Sequence, residues 1–200
     1  MYFESLPQLT GTISAVAVAS AWIVTVVVIF KGRPRSTRPD TARIPTSWLG
    51  LGLQCAAYLT VWLWPRQEFS TRDERPFLYL SADVAAILFG LAAVFFAAFA
   101  IKALGEHFSL AARLIEGHRL ITAGVYRIVR HPIYTAMLFL VIAAGLAFKT
   151  LPSLILSVIV YLLGTAIRIR SEEKLLSAAF GPEFTAWKKK VPALIPFFWF

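Results

Sequence analysis

IYTAMLFLVIAAGLAFKTLPSLILSVIVYLLGTAI, residues 133–167, holds one charge, Lys149, between two apolar runs. As a helix rising 1.5 Å per residue, the first run, Ile133 to Phe148, spans roughly 24 Å, short of a bilayer core of about 30 Å. The second run, Leu151 to Ile167, follows after only Lys149-Thr150, with Pro152 beside the break. Two apolar runs this close predict a tight helical hairpin, not independent spans.

Upstream of the hairpin lie three uncharged runs, Thr12 to Phe30, Ser47 to Trp64 and Val84 to Ile101. Each is near the ~18–20 residues that cross a bilayer. With 58% hydrophobic and 16% charged residues, the chain reads as an all-α integral membrane protein of five transmembrane helices. Residues 1–104 form a three-helix scaffold. Residues 105–200 form a second half made of a polar connector, the hairpin and an amphipathic C-terminal segment. The N-terminus lacks a basic region ahead of the first run and a small-residue cleavage site, so that run is expected to be retained, not removed as a signal peptide. Cys55 sits inside the second run as an inert, lipid-buried thiol. Ala82, Ala86, Gly90, Ala93 and Ala97 put small residues at helical spacing on the third span, which suits close packing. Trp48, Trp62 and Trp64 are placed at the water interfaces of the second.

The net charge of +9 is concentrated in particular connections. Lys31, Arg33, Arg35, Arg38 and Arg43 face one acid, Asp40, in the first. In the second, Arg66, Arg72 and Arg75 balance Glu68, Asp73 and Glu74. The third carries Lys102, Arg113, Arg119, Arg127 and Arg130, and the tail Arg168, Arg170, Lys174 and Lys188 to Lys190. Positive connections stay cytoplasmic, which places the N-terminus outside and the C-terminus inside. A loop-confined charge of this kind explains the excess without nucleic acid. The apolar runs of the first three spans hold no charge, so no ion or proton pathway is expected through them.

The chemistry-bearing residues cluster at the lip of the hairpin. All three histidines, His107, His118 and His131, fall in the connector. Pro132 suits the first turn of a helix, where its missing N–H costs nothing. Arg127 and Arg130 beside it could be snorkelling anchors, and an isolated Arg-His-Pro would mean little more. Here Tyr126 and Tyr134 flank it, and Glu172-Glu173 return to the same membrane face across the hairpin. Arg168 and Glu172, four apart, share one helix face; alone they would be an ordinary weak ion pair. Together they offer a carboxylate for a cationic group and a guanidinium for an anionic one. The histidine spacings match no metal motif, so no metal is expected. No glycine-rich phosphate loop is present. Gly181-Pro182 should break the fifth helix. Lys188 to Lys190 read as a surface attraction to anionic lipid, and the closing VPALIPFFWF as a segment along the headgroups.

Three stretches in order, HRLITAGVYRIVRHPIYTA (118–136), R-x-x-x-E-E-x-x-L from Arg168, and FGPEFTAWKKKVPALIP (180–196), resemble the isoprenylcysteine carboxyl methyltransferase family, which is related to phospholipid methyltransferases. The resemblance covers roughly residues 105–197. It implies S-adenosyl-L-methionine as cofactor, held in a cytoplasmic pocket roofed by the connector and floored by the hairpin. It also implies cofactor contacts from His118, Leu120, Tyr126, His131, Pro132, Tyr134 and Glu172, with Arg168 facing the acceptor carboxylate. Arg130 and Glu173 are further candidates. The residue types agree, since a sulfonium, an ammonium, a carboxylate and an adenine need anionic, cationic and aromatic partners. The chain departs from the family at Ala111, Ala136, Phe184 and Trp187.

The implied reaction is O-methylation of a prenylated cysteine carboxylate or a similar lipophilic acceptor entering from the bilayer. A carboxylate is ionised at neutral pH and needs no general base. Methylation of a phospholipid amine or another small lipophilic acceptor stays open; an amine would need a base, for which Glu173 is available. A non-catalytic membrane subunit, which would bind no cofactor, is the third reading.

Overall fold

The computed structural model describes residues 5–32, 40–64, 76–109, 112–148 and 151–196. Within them the chain forms five helices: α1 (Ser5–Lys31), α2 (Ser47–Leu63), α3 (Pro76–Leu104), α4 (Pro132–Phe148) and α5 (Leu151–Lys190). Three of these, α1, α3 and α5, are long and apolar enough to cross a membrane, while α2 and α4 are shorter apolar helices of 17 residues each. Large apolar side chains point outward along the long helices, among them Ile13, Ile23, Leu88, Phe95, Ile159 and Leu163. Helices apolar on outer and inner faces alike are suited to lipid, not water.

Of the two shorter apolar helices, α4 lies at the centre. α4 packs against α3, α5, α1 and α2, and Leu138, Leu140, Val141, Ala143 and Ala144 are all buried. Surrounded in this way, α4 has little lipid to meet, so it needs apolar residues on every face. At the hairpin, α4 and α5 meet where Gly145 has no Cβ; one would lie 2.6–3.0 Å from the Leu154 side chain. The small-residue stripe on α3 is the packing face the sequence implied. Ala86, Ala93 and Ala97 are fully buried, and a Cβ on Gly90 would lie 3.2 Å from that of Ala21 in α1. Ala136 of α4 joins the same cluster, so its small size is used where α3 and α4 approach.

Several expectations are corrected. Two short strands, β1 (Asp40–Arg43) and β2 (Arg113–Ile115), pair antiparallel with Arg43 opposite Arg113. Neither is apolar enough to read as a strand. The pairing also ties the first and third connections to one face of the bundle, as the two alternating helices between them, α2 and α3, require. Asp83, one residue before the run that begins at Val84, is 2% exposed within α3 and accepts a hydrogen bond from Ser14 Oγ of α1 at 2.7 Å; the helix therefore does contain a buried acid. Trp62 turns inward, stacking edge-on with Trp22 and Phe148. Cys55, a free thiol, is exposed on the surface of α2, which is compatible with its expected contact with lipid.

The C-terminal stretch is also repositioned. Val191, Ala193 and Leu194 are buried rather than spread along a headgroup layer. The Arg130 N–H donates to Pro192 O at 2.8 Å, His131 N–H to Ala193 O at 3.0 Å, and Thr135 Oγ1 to Leu194 O at 2.6 Å. The residues before α4 and its first turn have backbone and side-chain donors to satisfy, and this strap satisfies them. The break at Gly181 occurs as expected: its φ of 46° lies in the left-handed region that favours glycine, and α5 changes direction there before continuing to Lys190.

Candidate active site

Pro132 starts α4 and so fixes His131 and Arg130 just outside it. His131 is bracketed by two carboxylates from α5: Nδ1 lies 3.3 Å from Glu172 Oε2, and Nε2 3.3 Å from Glu173 Oε1. An imidazole with an acceptor at each nitrogen is best satisfied as the doubly protonated cation. Burial by itself would lower the His131 pKa, but the hydrogen bonds and charges of Glu172 and Glu173 outweigh it and raise the value above 6.5.

The two glutamates, adjacent in sequence, do different things. Glu173 is held by Arg130 Nε at 2.8 Å and Lys188 Nζ at 2.6 Å as well as by His131. Arg130 Nη1 also donates to the backbone carbonyls of Lys188 and Val191. Glu173 thus locks the second segment of α5 onto the entry to α4. Lys188, expected to face lipid headgroups, is committed to this lock. Glu172 points the other way, with a quarter of its side chain accessible. Its Oε1 accepts from the Tyr134 hydroxyl, and Arg168 Nη2 stands 4.0 Å off. The same Tyr134 oxygen accepts from Arg168 Nε at 2.8 Å, and the guanidinium lies over the Tyr134 ring at 5.2 Å. Tyr134 is therefore the joint between Arg168 and Glu172, which are less an ordinary i,i+4 pair than two ends of a bridged arrangement. Tyr161 Oη donates to the Tyr134 carbonyl at 2.8 Å and holds that joint in place.

The connector closes over this cluster. Gly117, at φ 71°, makes the turn after β2 that brings the His118 N–H to Ile115 O at 3.1 Å. The His118 ring then meets His107 edge-on at 4.8 Å and Phe180 at 6.2 Å. Burial, with the neighbouring His107 as a lesser cause, lowers the His118 pKa to about 4, so it is a neutral imidazole at physiological pH. Burial also keeps Tyr126 protonated, with its pKa raised well above 10. The buried Nδ1 atoms of His107 and His118 and Nε1 of Trp187 have no hydrogen-bond partner among the described residues. Buried polar atoms are rarely left so.

Much of this cluster faces a cavity of about 430 Å³. His118, Leu120, Tyr126, Arg130, His131, Pro132, Tyr134, Arg168 and Glu172 line it; Glu173 does not. Its polar end lies under the connector, and its apolar arm runs down between α1 and α2 past Trp22, Ile29, Leu51, Tyr58, Met137 and Leu140. Trp22 against Tyr58, at 5.5 Å, links the two walls. The volume falls within the range of about 300–1,000 Å³ for small-molecule sites. Nothing in the sequence pattern assigns His107, Trp187, Trp22 or Gln54 to the site, yet all four line the cavity. His107 stands eleven positions before His118 with no shared periodicity, and the other three lie in apolar or amphipathic helices far away in sequence. Of the departures, Phe184 is buried and Trp187 lines the cavity, while Ala111 lies outside the described residues.

Residues 85–178 match the isoprenylcysteine carboxyl methyltransferase (ICMT) family. The chain is 34% identical over 82 residues to the protein-S-isoprenylcysteine O-methyltransferase B of Arabidopsis thaliana, 41% of this chain and 42% of that protein. It is 32% identical over 94 residues to the protein-S-isoprenylcysteine O-methyltransferase of Schizosaccharomyces pombe, 46% of this chain and 40% of that protein. It is also 30% identical over 81 residues to the cobalt-zinc-cadmium resistance protein CzcN of Cupriavidus metallidurans, 40% of this chain and 37% of that protein. The matched stretch thus spans less than half the length of each relative.

Proposed function

We propose, from the match of residues 85–178 to the isoprenylcysteine carboxyl methyltransferase family, that this protein is a multi-pass membrane methyltransferase that O-methylates a lipophilic carboxylate, with S-adenosyl-L-methionine as cofactor. The observation that carries the reading is the two-ended cavity: a charged and aromatic end under the connector opens into an apolar arm between helices. A water-soluble molecule and a lipid-dissolved one can meet there.

The residues present fit the cofactor. Glu172 offers a carboxylate to a cationic or hydroxylic group, and the unpartnered nitrogens of His107, His118 and Trp187 offer hydrogen bonds. His118, Leu120, Tyr126, His131, Pro132, Tyr134 and Glu172 would hold it. When bound, the cofactor supplies a methyl group activated on a sulfonium.

The protein's own part is positional. Arg168, 3% exposed, would orient the acceptor carboxylate, and Tyr134 sets the guanidinium's direction through Nε. A carboxylate acceptor loses no proton, so catalysis rests on alignment and on excluding water from the site. An amine acceptor would need a base. Glu173 is turned away from the cavity and held by three cations, and Glu172 is held by Tyr134 and His131. That leaves neither glutamate free for the task, which supports the carboxylate acceptor over the phospholipid amine. All five helices would then span the bilayer, with the site on the cytoplasmic face where the basic connections lie.

A methyl-transfer assay in detergent or nanodiscs, with labelled cofactor and a panel of prenylcysteine, phosphatidylethanolamine and small thiols, tests the reading. Label is expected in the prenylcysteine as a base-labile ester. Transfer to phosphatidylethanolamine alone would overturn the acceptor, and failure to bind S-adenosylhomocysteine by calorimetry would overturn the enzyme.

A further inference from the structure

The turn at Gly181 folds the end of α5 back on itself, and Lys188 Nζ reaches Glu173 Oε2 at 2.6 Å. Two arms of one helix therefore stand side by side where the chain leaves its apolar run. Between them lies a crevice of about 660 Å³, lined by Arg170, Lys174 and Ser177 from the outgoing arm and by Thr185, Lys188 and Lys189 from the returning one. It shares no lining residue with the cavity under the connector.

The charge in this crevice is unbalanced. Four of its lining side chains are cationic, and Glu173 is its one carboxylate. Glu173 is already shared by Lys188, Arg130 and His131, so it cannot balance the rest. Arg170, Lys174 and Lys189 are exposed, and among the described residues no carboxylate pairs with them. Glu183, on the returning arm, does not line the crevice. Arg170 and Lys174 are also four apart on one helix face, where like charges repel. An anion seated between the arms would relieve that repulsion.

The same face continues into lipid. A helix turns 100° per residue, so Leu163, Arg170 and Lys174 fall within about 20° of one line along α5, with Ile159 about 40° from Leu163. Ile159 and Leu163 are 52% and 58% exposed, apolar side chains that point out of the bundle. Ile159 lies about 16 Å from Arg170 along the axis, which matches the roughly 15 Å of hydrocarbon in one leaflet. An acyl chain lying against Ile159 and Leu163 thus brings its headgroup to Arg170 and Lys174. A soluble acidic partner would make no use of the apolar stripe below the cations.

We propose that this crevice binds the headgroup of an anionic glycerophospholipid, with the phosphate held by Arg170, Lys174 and Lys189 and the acyl chains along Ile159 and Leu163. Ser177 adds a hydroxyl at the same mouth. The site is separate from the cofactor cavity but touches its frame. Lys188 binds Glu173, which holds His131, and Trp187 beside Lys188 lines that cavity. A bound headgroup bridges the two arms and so stabilises the returning arm that carries Trp187.

Protein in a neutral detergent is titrated with phosphatidylglycerol or with phosphatidylcholine of the same chains. Melting temperature is followed, and native mass spectrometry counts the lipid retained. Wild-type protein is expected to keep one phosphatidylglycerol and to melt at least about 5 °C higher with it than with phosphatidylcholine, the scale for a ligand at a hundred times its dissociation constant. Arg170→Gln/Lys174→Gln is expected to lose this preference. Lys102→Gln/Arg127→Gln, which removes two exposed cations from elsewhere in the chain, is expected to keep it. Equal gain from the two lipids, or equal loss of preference in the two variants, overturns the site, since the basic surface as a whole then attracts the lipid. Stabilisation to the same extent by soluble glycerol phosphate overturns the lipid as occupant. Should Arg170→Gln/Lys174→Gln not fold, wild-type retention decides: one phosphatidylglycerol kept over phosphatidylcholine supports the site, and none overturns it.

Discussion

Arg168→Lys keeps a positive charge at the point where α5 meets the cavity but removes the planar fork. Arg168 makes a 2.8 Å hydrogen bond through Nε to Tyr134 Oη and is 3% exposed. A lysine ammonium, a point donor on a flexible stem, cannot hold that bond and also present two N–H groups to a carboxylate. A hydrogen bond to a charged group contributes about 1.5–3 kcal/mol, which corresponds to roughly 10- to 150-fold in kcat/KM when felt at the transition state. The cofactor's expected partners are untouched: Glu172 keeps Tyr134 and His131. Turnover of a prenylcysteine carboxylate is therefore expected to fall at least tenfold while S-adenosylhomocysteine affinity, measured by calorimetry in detergent, stays within about twofold. If cofactor affinity and turnover fall together, Arg168 serves the cofactor or the fold. Full activity on the carboxylate acceptor would refute the central contact outright.

Glu172→Gln preserves shape and loses charge, so S-adenosylhomocysteine affinity is expected to drop by about 1.5–3 kcal/mol; unchanged affinity in a folded variant would remove Glu172 from the cofactor's partners. Glu173→Gln strips the shared carboxylate from Arg130, His131 and Lys188, and breaking a buried pair is expected to cost about 3 kcal/mol in stability, read by unfolding in mixed micelles. Because Glu173 does not line the cavity, its effect on cofactor affinity should be smaller than that of Glu172→Gln, and the reverse order would exchange their roles. The histidines give opposite pH dependences. His118 has a folded pKa of about 4, below its unfolded value near 6.5, so its contribution to stability is complete above pH 6.5 and is lost as pH falls toward 4. His131 is raised, so its contribution is complete below pH 6.5 and is lost as pH rises through its folded value. His118→Gln should flatten the acid side of the melting-temperature profile and His131→Gln the alkaline side. A profile unchanged by either would show that the burial or the bracketing carboxylates have no thermodynamic effect.

The five helices and the hairpin are properties of uninterrupted apolar runs. A bilayer or a buried core requires such runs, and they survive in the sequence regardless of packing. Arg130, His131, Tyr134, Arg168 and Glu172 were legible for a similar reason, since polar groups at the edge of an apolar run are conspicuous. What the sequence could not assign is direction. Glu172 and Glu173 are neighbours with the same chemistry, and only the 100° turn between successive helical residues, together with what α4 and the C-terminal strap place on each side, sends one to the cavity and the other to Arg130 and Lys188. The strap itself looked like a surface segment because its burial depends on unpaired donors at Arg130, His131 and Thr135, about sixty positions earlier. Asp83 escaped notice because one hydroxyl on another helix, Ser14, makes its burial tolerable. Gln54 and Thr25 line the cavity because α1 and α2 both wall it. Local pattern determined which segments are helices and where the chemistry gathers. Long-range hydrogen bonding and helix contact decided which atom of each residue faces the cavity, because those partners are remote in sequence and leave no periodic trace.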